Sequence, residues 1–130
     1  MAYIKFKELT KYFDFKTEVD IDKLPEYTLE YVEDKEKIIF AYKNNKDYAV
    51  FTDRKIVLFD RDTLAVYYKK IHIVPYASIS SSAIAYKPGK VELLFSLDSG
   101  YQVRIDFIDM HHNEKENIKK VYKEIMKYKI

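Results

Sequence analysis

The sequence predicts a mainly β domain: about seven antiparallel strands forming a barrel, a capping C-terminal α-helix, and a helical leader before the first strand. Three observations carry this prediction. From Ile38 onward, short apolar runs recur between polar turns. Two consecutive stretches, around Val91 to Leu97 and Tyr101 to Phe107, alternate apolar with polar residues. Near the end, Ile118, Val121, Tyr122 and Ile125 fall at i, i+3, i+4 and i+7, the stripe of an amphipathic helix.

The leader occupies residues 1–35 and the barrel with its helix residues 36–130, within one domain overall. "AYIKFKELTKYFDF" sets Phe6, Leu9 and Phe13 at helical spacing, with Ile4 and Tyr12 near the same stripe. "DIDKLPEYTLEYV" offers Asp22 as an N-cap and Pro25 in the first turn, with Leu24, Tyr27, Tyr31 and Val32 facing inward. The charged run "EDKEK" then separates the leader from the strands.

"IIFAYK" and "DYAVF" are joined by a turn read at Asn44-Asn45, because asparagine tolerates a positive φ. A hairpin follows, Tyr48 to Phe51 and Ile56 to Phe59, turned by Thr52-Asp53-Arg54-Lys55. "LAVYYKKIHIVPY" contributes one or two strands that break near Pro75, and "SISSSAIAYK" runs to a turn at Pro88-Gly89. In the last pair, Leu97 faces Tyr101 across Asp98-Ser99-Gly100, with glycine supplying the left-handed position. That register sets Glu92 opposite Asp106, a repulsive pair unless Arg104 or solvent intervenes. Asn113 and Glu116 have capping-box spacing at the start of the final helix.

The hairpin poses the main question. Its strands are apolar on both faces, whereas a strand with one face in water alternates. One face lines the core; the other needs a cover: the leader, a neighbouring subunit, or both.

Composition narrows the function classes. The chain has 48% hydrophobic and 34% charged residues and a net charge of +2, so no overall field calls for nucleic acid or a membrane. The charge is uneven: residues 1–35 hold 6 basic and 9 acidic residues, while 114–130 hold 6 and 3. There is no cysteine, and neither a secretory leader nor a membrane span is read, so the expected setting is the cytoplasm. His111-His112 lacks the spacing that puts two metal ligands on one helix face, and His72 reads as a surface strand residue. The serines of "SISSSAI" have no nucleophile elbow, and two glycines build no phosphate-cradling loop. The interleaved Tyr67, Tyr68, Lys69 and Lys70 are read as ordinary strand residues rather than a nucleic-acid platform. The leader mixes lysines with aromatics, as membrane-surface helices do, but packing on the barrel explains the same residues. No enzyme activity, cofactor or metal is expected.

The runs "IIFAYKNNKDYAVFTDRKIVLFD" and "KKIHIVPYASIS" closely resemble the bacterial PH domain family, a pleckstrin-homology-like barrel. That family has a run of a tyrosine-lysine turn, an aspartate, a V-F-T hairpin and an I-P-Y-x-S-I segment, the last matched here by "VPYASI". "EVDIDKLPEYTLEYVEDKEKI" is similar to that family's lead-in, and the resemblance spans residues 18–127. It implies no catalytic site and assembly into ring-like oligomers. Eukaryotic relatives bind phosphoinositides through several basic residues in the first strand loop; here that loop supplies only Lys43 and Lys46.

The expected function is therefore a non-catalytic interaction and assembly module, homo-oligomerising through the outer faces of Tyr48, Val50, Val57 and Phe59. The alternative is a monomeric module for anionic lipid headgroups or peptides, using Lys43, Lys46 and Lys55.

Overall fold

The computed structural model describes residues 11–44, 48–61 and 69–129. Among these residues are nine strands, β1 (Lys11–Phe15), β2 (Thr17–Glu18), β3 (Ile38–Lys43), β4 (Tyr48–Thr52), β5 (Lys55–Arg61), β6 (Lys69–Pro75), β7 (Ile79–Lys87), β8 (Lys90–Leu97) and β9 (Gln102–Phe107), followed by one α-helix, α1 (His112–Lys129). They form a four-stranded sheet ordered β1-β9-β8-β7 and a five-stranded sheet ordered β2-β3-β4-β5-β6.

The main core lies between the sheets. Phe51, Ile56 and Leu58 from one sheet meet Leu93, Phe95 and Ile105 from the other, and Ile118, Val121 and Ile125 of α1 join the same cluster. The helix stripe read from the sequence is thus the buried one, with Tyr122 half-buried beside it. Its start is earlier than expected. The Glu114 carboxylate accepts from the His111 amide at 3.1 Å, which makes His111, not Asn113, the capping position. The β8–β9 register is as expected, with Leu93 opposite Ile105 and Glu92 opposite Asp106. Gly100 closes the loop at φ 95° and donates its amide to Leu97 O at 2.9 Å.

The leader is not helical where it is described. Residues 11–15 form β1, which runs parallel to β9 with Phe15 beside Phe107. The chain then crosses to the other sheet, where the Lys16 amide donates to Lys43 O at 3.0 Å and that of Val19 to Ala41 O at 2.8 Å. The physical reason is edge completion. Each sheet has a margin there whose backbone groups need partners, and one extended segment satisfies both. Two short 3-10 turns follow, Ile21–Lys23 and Glu26–Leu29, in place of the expected helix. Asp20, not Asp22, caps the first, and Pro25 precedes the second. Ile4, Phe6 and Leu9 lie outside the described residues.

Two further expectations change. Lys43 pairs with Tyr48, so the β3–β4 connection is residues 44–47 rather than a two-residue turn. Among the described residues, β6 pairs only with β5 and β7 only with β8. The expected closed antiparallel barrel of seven strands is therefore two open sheets, joined along one side by β1 and β2.

Candidate functional site

The cover over the hairpin is visible. Strands β4 and β5 pair with Val50 opposite Val57 and Phe51 opposite Ile56. Phe51 and Ile56 face the main core, whereas Val50, Val57 and Phe59 form a second cluster with Leu24 and Ala41, flanked by Val19, Tyr27 and Val32. The leader's 3-10 segment lies on this outer face. The Tyr27 ring stands edge-on to Phe59 at 5.4 Å and to Tyr48 at 6.1 Å, geometries that add to simple burial. Val50 and Val57 are fully buried, Phe59 is 1% exposed and Tyr48 is half-buried. Of the covers that the sequence allowed, the chain's own leader is the one seen.

The cover ends short of β6. In register with Val57 stands Ile73, and with Phe59 stands Ile71. Ile73 is 44% exposed, and Ile71 is half-buried against the second cluster. Tyr31, 38% exposed, sits at 6.3 Å from the Phe59 ring. An apolar strip therefore continues from the covered cluster to the open margin of the five-stranded sheet. His72 points to the other side, level with Leu58, and is half-buried rather than on the surface.

Of the three candidate ligand lysines, the two that are described do not converge. Lys43 is exposed at the 44–47 end of the sheet, and Lys46 lies outside the described residues. Lys55 is at the opposite end, about 13 Å away along β4. It is also engaged: its Nζ donates to Glu36 Oε1 at 2.8 Å, with the two side chains only 16% and 1% exposed. The Thr52 hydroxyl donates to the other Glu36 oxygen at 2.6 Å, and the Glu33 amide donates to Oε1 at 3.0 Å. Thr52 in turn accepts from the amides of Arg54 and Lys55, each at 3.0 Å. Tyr76 locks the same turn from the core side, its hydroxyl donating to Thr52 O at 2.7 Å. The V-F-T and V-P-Y elements are thus two halves of one structural lock. Sequence reading missed Glu36, which stands in a charge run read only as a separator.

Burial opposes ionisation of Glu36, but hydrogen bonds from Lys55, Thr52 and Glu33 outweigh it and hold its carboxyl below the ordinary 4.5. The folded state therefore binds this proton less readily than the unfolded one. Its contribution is full above about pH 4.5 and is lost as pH falls through the lower folded value. Glu36→Ala is expected to cost about 2–3 kcal/mol, because Lys55 and Thr52 lose a shared buried partner. Glu36→Gln is expected to cost less and to flatten the decline in urea midpoint between about pH 6 and pH 3. An unchanged pH slope in that variant would remove Glu36 from the lock.

On the outward side of the other sheet, Glu92 is 4% exposed and Asp106 is fully buried. The repulsion expected between them is relieved chiefly by Lys90, whose Nζ lies 3.1 Å from Glu92 and 3.3 Å from Asp106. Lys87 at 3.2 Å from Glu92 and Arg104 at 3.3 Å from Asp106 add to this. The Lys90 hydrogen bond, against the cost of burial, holds the Glu92 carboxyl below its usual range. This is a structural charge network, with all its acids bridged by cations.

Among the described residues, no group of three or more His, Cys, Asp or Glu side chains is placed to hold a metal, and His111 and His112 are exposed. A shallow cleft of about 490 Å³ between the leader and β3 is lined by Glu18, Asp20, Asp22, Ile21 and Ile39. Among the described residues, no helix is long and apolar enough to cross a membrane.

The fold has relatives among solved structures. It is similar to a DUF1696-family protein with a pleckstrin-homology domain from Shewanella loihica, at 21% identity and TM-score 0.69, covering 88% of this chain and 97% of that one. It is also similar to a pleckstrin homology domain from Shewanella amazonensis, at 22% and 0.61, covering 88% and 91%. A PH-domain-containing bacterial protein from Exiguobacterium sibiricum aligns at 22% and 0.64, covering 89% and 62%. At such identities the likeness concerns the fold alone. No curated protein matches the sequence. The family model of the bacterial PH domain, however, matches residues 9–129, from before β1 to the end of α1. Two sheets with a helix closing the core, the lock at Thr52 and Tyr76, and this match together place the chain in the bacterial PH domain family.

Proposed function

We propose that this domain is a non-catalytic assembly module, working in the cytoplasm by associating with further copies of itself through the β6 margin. The observation that carries the reading is the incomplete cover of the outer face. The leader buries Val50, Val57 and Phe59, while Ile73 in the same register remains 44% exposed. Ile71 and Tyr31 extend the same strip, and β6 has no second strand partner among the described residues. An apolar strip beside unpaired backbone groups is the combination that a second copy covers well. The interface thus lies one strand beyond the four hairpin residues that the sequence singled out.

Mass in solution tests the proposal. The wild-type chain is expected to run as a defined oligomer in light scattering after size exclusion. Ile73→Asp is expected to lower the mass at least twofold with an unchanged far-UV spectrum. A wild-type monomer at high concentration overturns the proposal, and so does an Ile73→Asp chain that keeps its full mass. Binding of lipid or peptide to the monomer then becomes the better reading.

A further inference from the structure

The margin opposite β6, on the other sheet, has different chemistry. β7 pairs with β8 from Ile79 opposite Leu97 to Lys87 opposite Lys90, and no strand covers its far side among the described residues. Natural edges are guarded by charges, prolines or bulges along the strand. β7 reads ISSSAIAYK: its register shifts once, between Ile79 and Ser81, but from Ser81 to Tyr86 it pairs regularly with β8 and holds no proline and no charge. Ser81 and Ala83 are exposed, so the backbone is open to an approaching strand.

The helix beside this margin is cationic. α1 lies on β7, with Ser82 Oγ at 2.7 Å from the Tyr122 hydroxyl and 3.4 Å from Met126 Sδ. At its other end, Lys115 Nζ donates to Lys87 O at 2.8 Å. The helix therefore runs antiparallel to β7, and the flank turned to it carries residue 115 as well as 122 and 126. Residues 119 and 123 repeat Lys115 at i+4 and i+8, so they continue along that flank. Both are lysines and both are exposed. The two glutamates nearest in sequence, Glu116 and Glu124, lie on another row with Lys120 between them. One side of the open margin thus offers main-chain hydrogen bonds and the other a row of ammonium groups.

We propose that β7 takes up an extended acidic segment of a partner protein as an added antiparallel strand. Its backbone pairs with the free edge, and its carboxylates on the α1 side meet Lys119 and Lys123. The two observations are independent, since an unguarded edge selects an extended backbone and the lysine row selects its charge. This surface lies on the other sheet, and residues 76–78 connect it to the β6 margin.

The probe is a fluorescein-labelled EVEVEV peptide, titrated by anisotropy into the full chain and into Ile73→Asp, so that self-association does not decide the result. Saturable binding is expected in both, and it should fall at least tenfold in Lys119→Glu/Lys123→Glu with the fold retained by circular dichroism. N-methylation of one alternate set of peptide amides should abolish binding, and methylation of the other set should spare it. Equal tolerance of both sets reduces the effect to charge attraction and overturns the proposal. Absence of binding at millimolar peptide overturns it too, as does loss of phosphatidylserine-vesicle binding in the double variant with no peptide effect.

Discussion

A Val57→Asp chain is expected not to fold, leaving unfolded or insoluble protein in place of the wild-type circular dichroism and thermal transition. Val57 is fully buried, opposite Val50 and beneath a leader cluster that contains Leu24. Its apolar neighbours offer nothing to pair with a carboxylate. Placing one there costs on the order of 5 kcal/mol or more, comparable to the whole stability of a small domain. The adjacent residue in the sheet supplies the control. Ile73 stands in register with Val57 but is 44% exposed, so the same aspartate there is expected to leave the fold intact. A folded, soluble Val57→Asp chain of reduced mass would show instead that the leader cover opens and that a subunit contact lies beneath it.

Phe15→Ala is expected to destabilise the domain by about 3–5 kcal/mol, the usual cost of removing a buried aromatic ring. Phe15 is fully buried, its ring centroid 6.4 Å from that of Phe107. For a domain of this size the loss corresponds to a fall of roughly 2 M in urea midpoint. The substitution tests whether the N-terminal segment is part of the core or an appendage to it. A midpoint within roughly 0.3 M of wild type would mean that β1 contributes little and that the sheets hold together without it.

The misreading of that segment has a definite cause. In "FKELTKYFDFKTEV" two patterns overlap: Phe6, Leu9 and Phe13 fit a helix, while Phe13-Asp14-Phe15 alternates as a strand does. Local propensity does not separate them. The choice was made by β9 and β3, whose open edges lie far along the chain and reward an extended partner with hydrogen bonds. The same distance hid Glu36. A glutamate within "EDKEK" looks solvated until folding brings Thr52 and Lys55 to either side of its carboxylate. Lys55 was read as a free cation for the same reason. By contrast the β8–β9 pair was legible to the residue. Alternation set its faces and Gly100 set its turn, so no distant contact was needed.

By itself the sequence determined the strand-rich class, the amphipathic stripe of α1, the last hairpin, and the fact that the Tyr48 to Phe59 hairpin is covered on both faces. All four follow from short-range periodicity and turn chemistry, which act within a few residues. Only the tertiary structure decided what lies on the outer face, that β1 and β2 join two open sheets, and which lysines remain available to a partner. Burial and ion pairing depend on which groups meet across the fold. Two-sided apolar strands require a cover, and only the folded chain identifies the leader as that cover and β6 as the place where it stops.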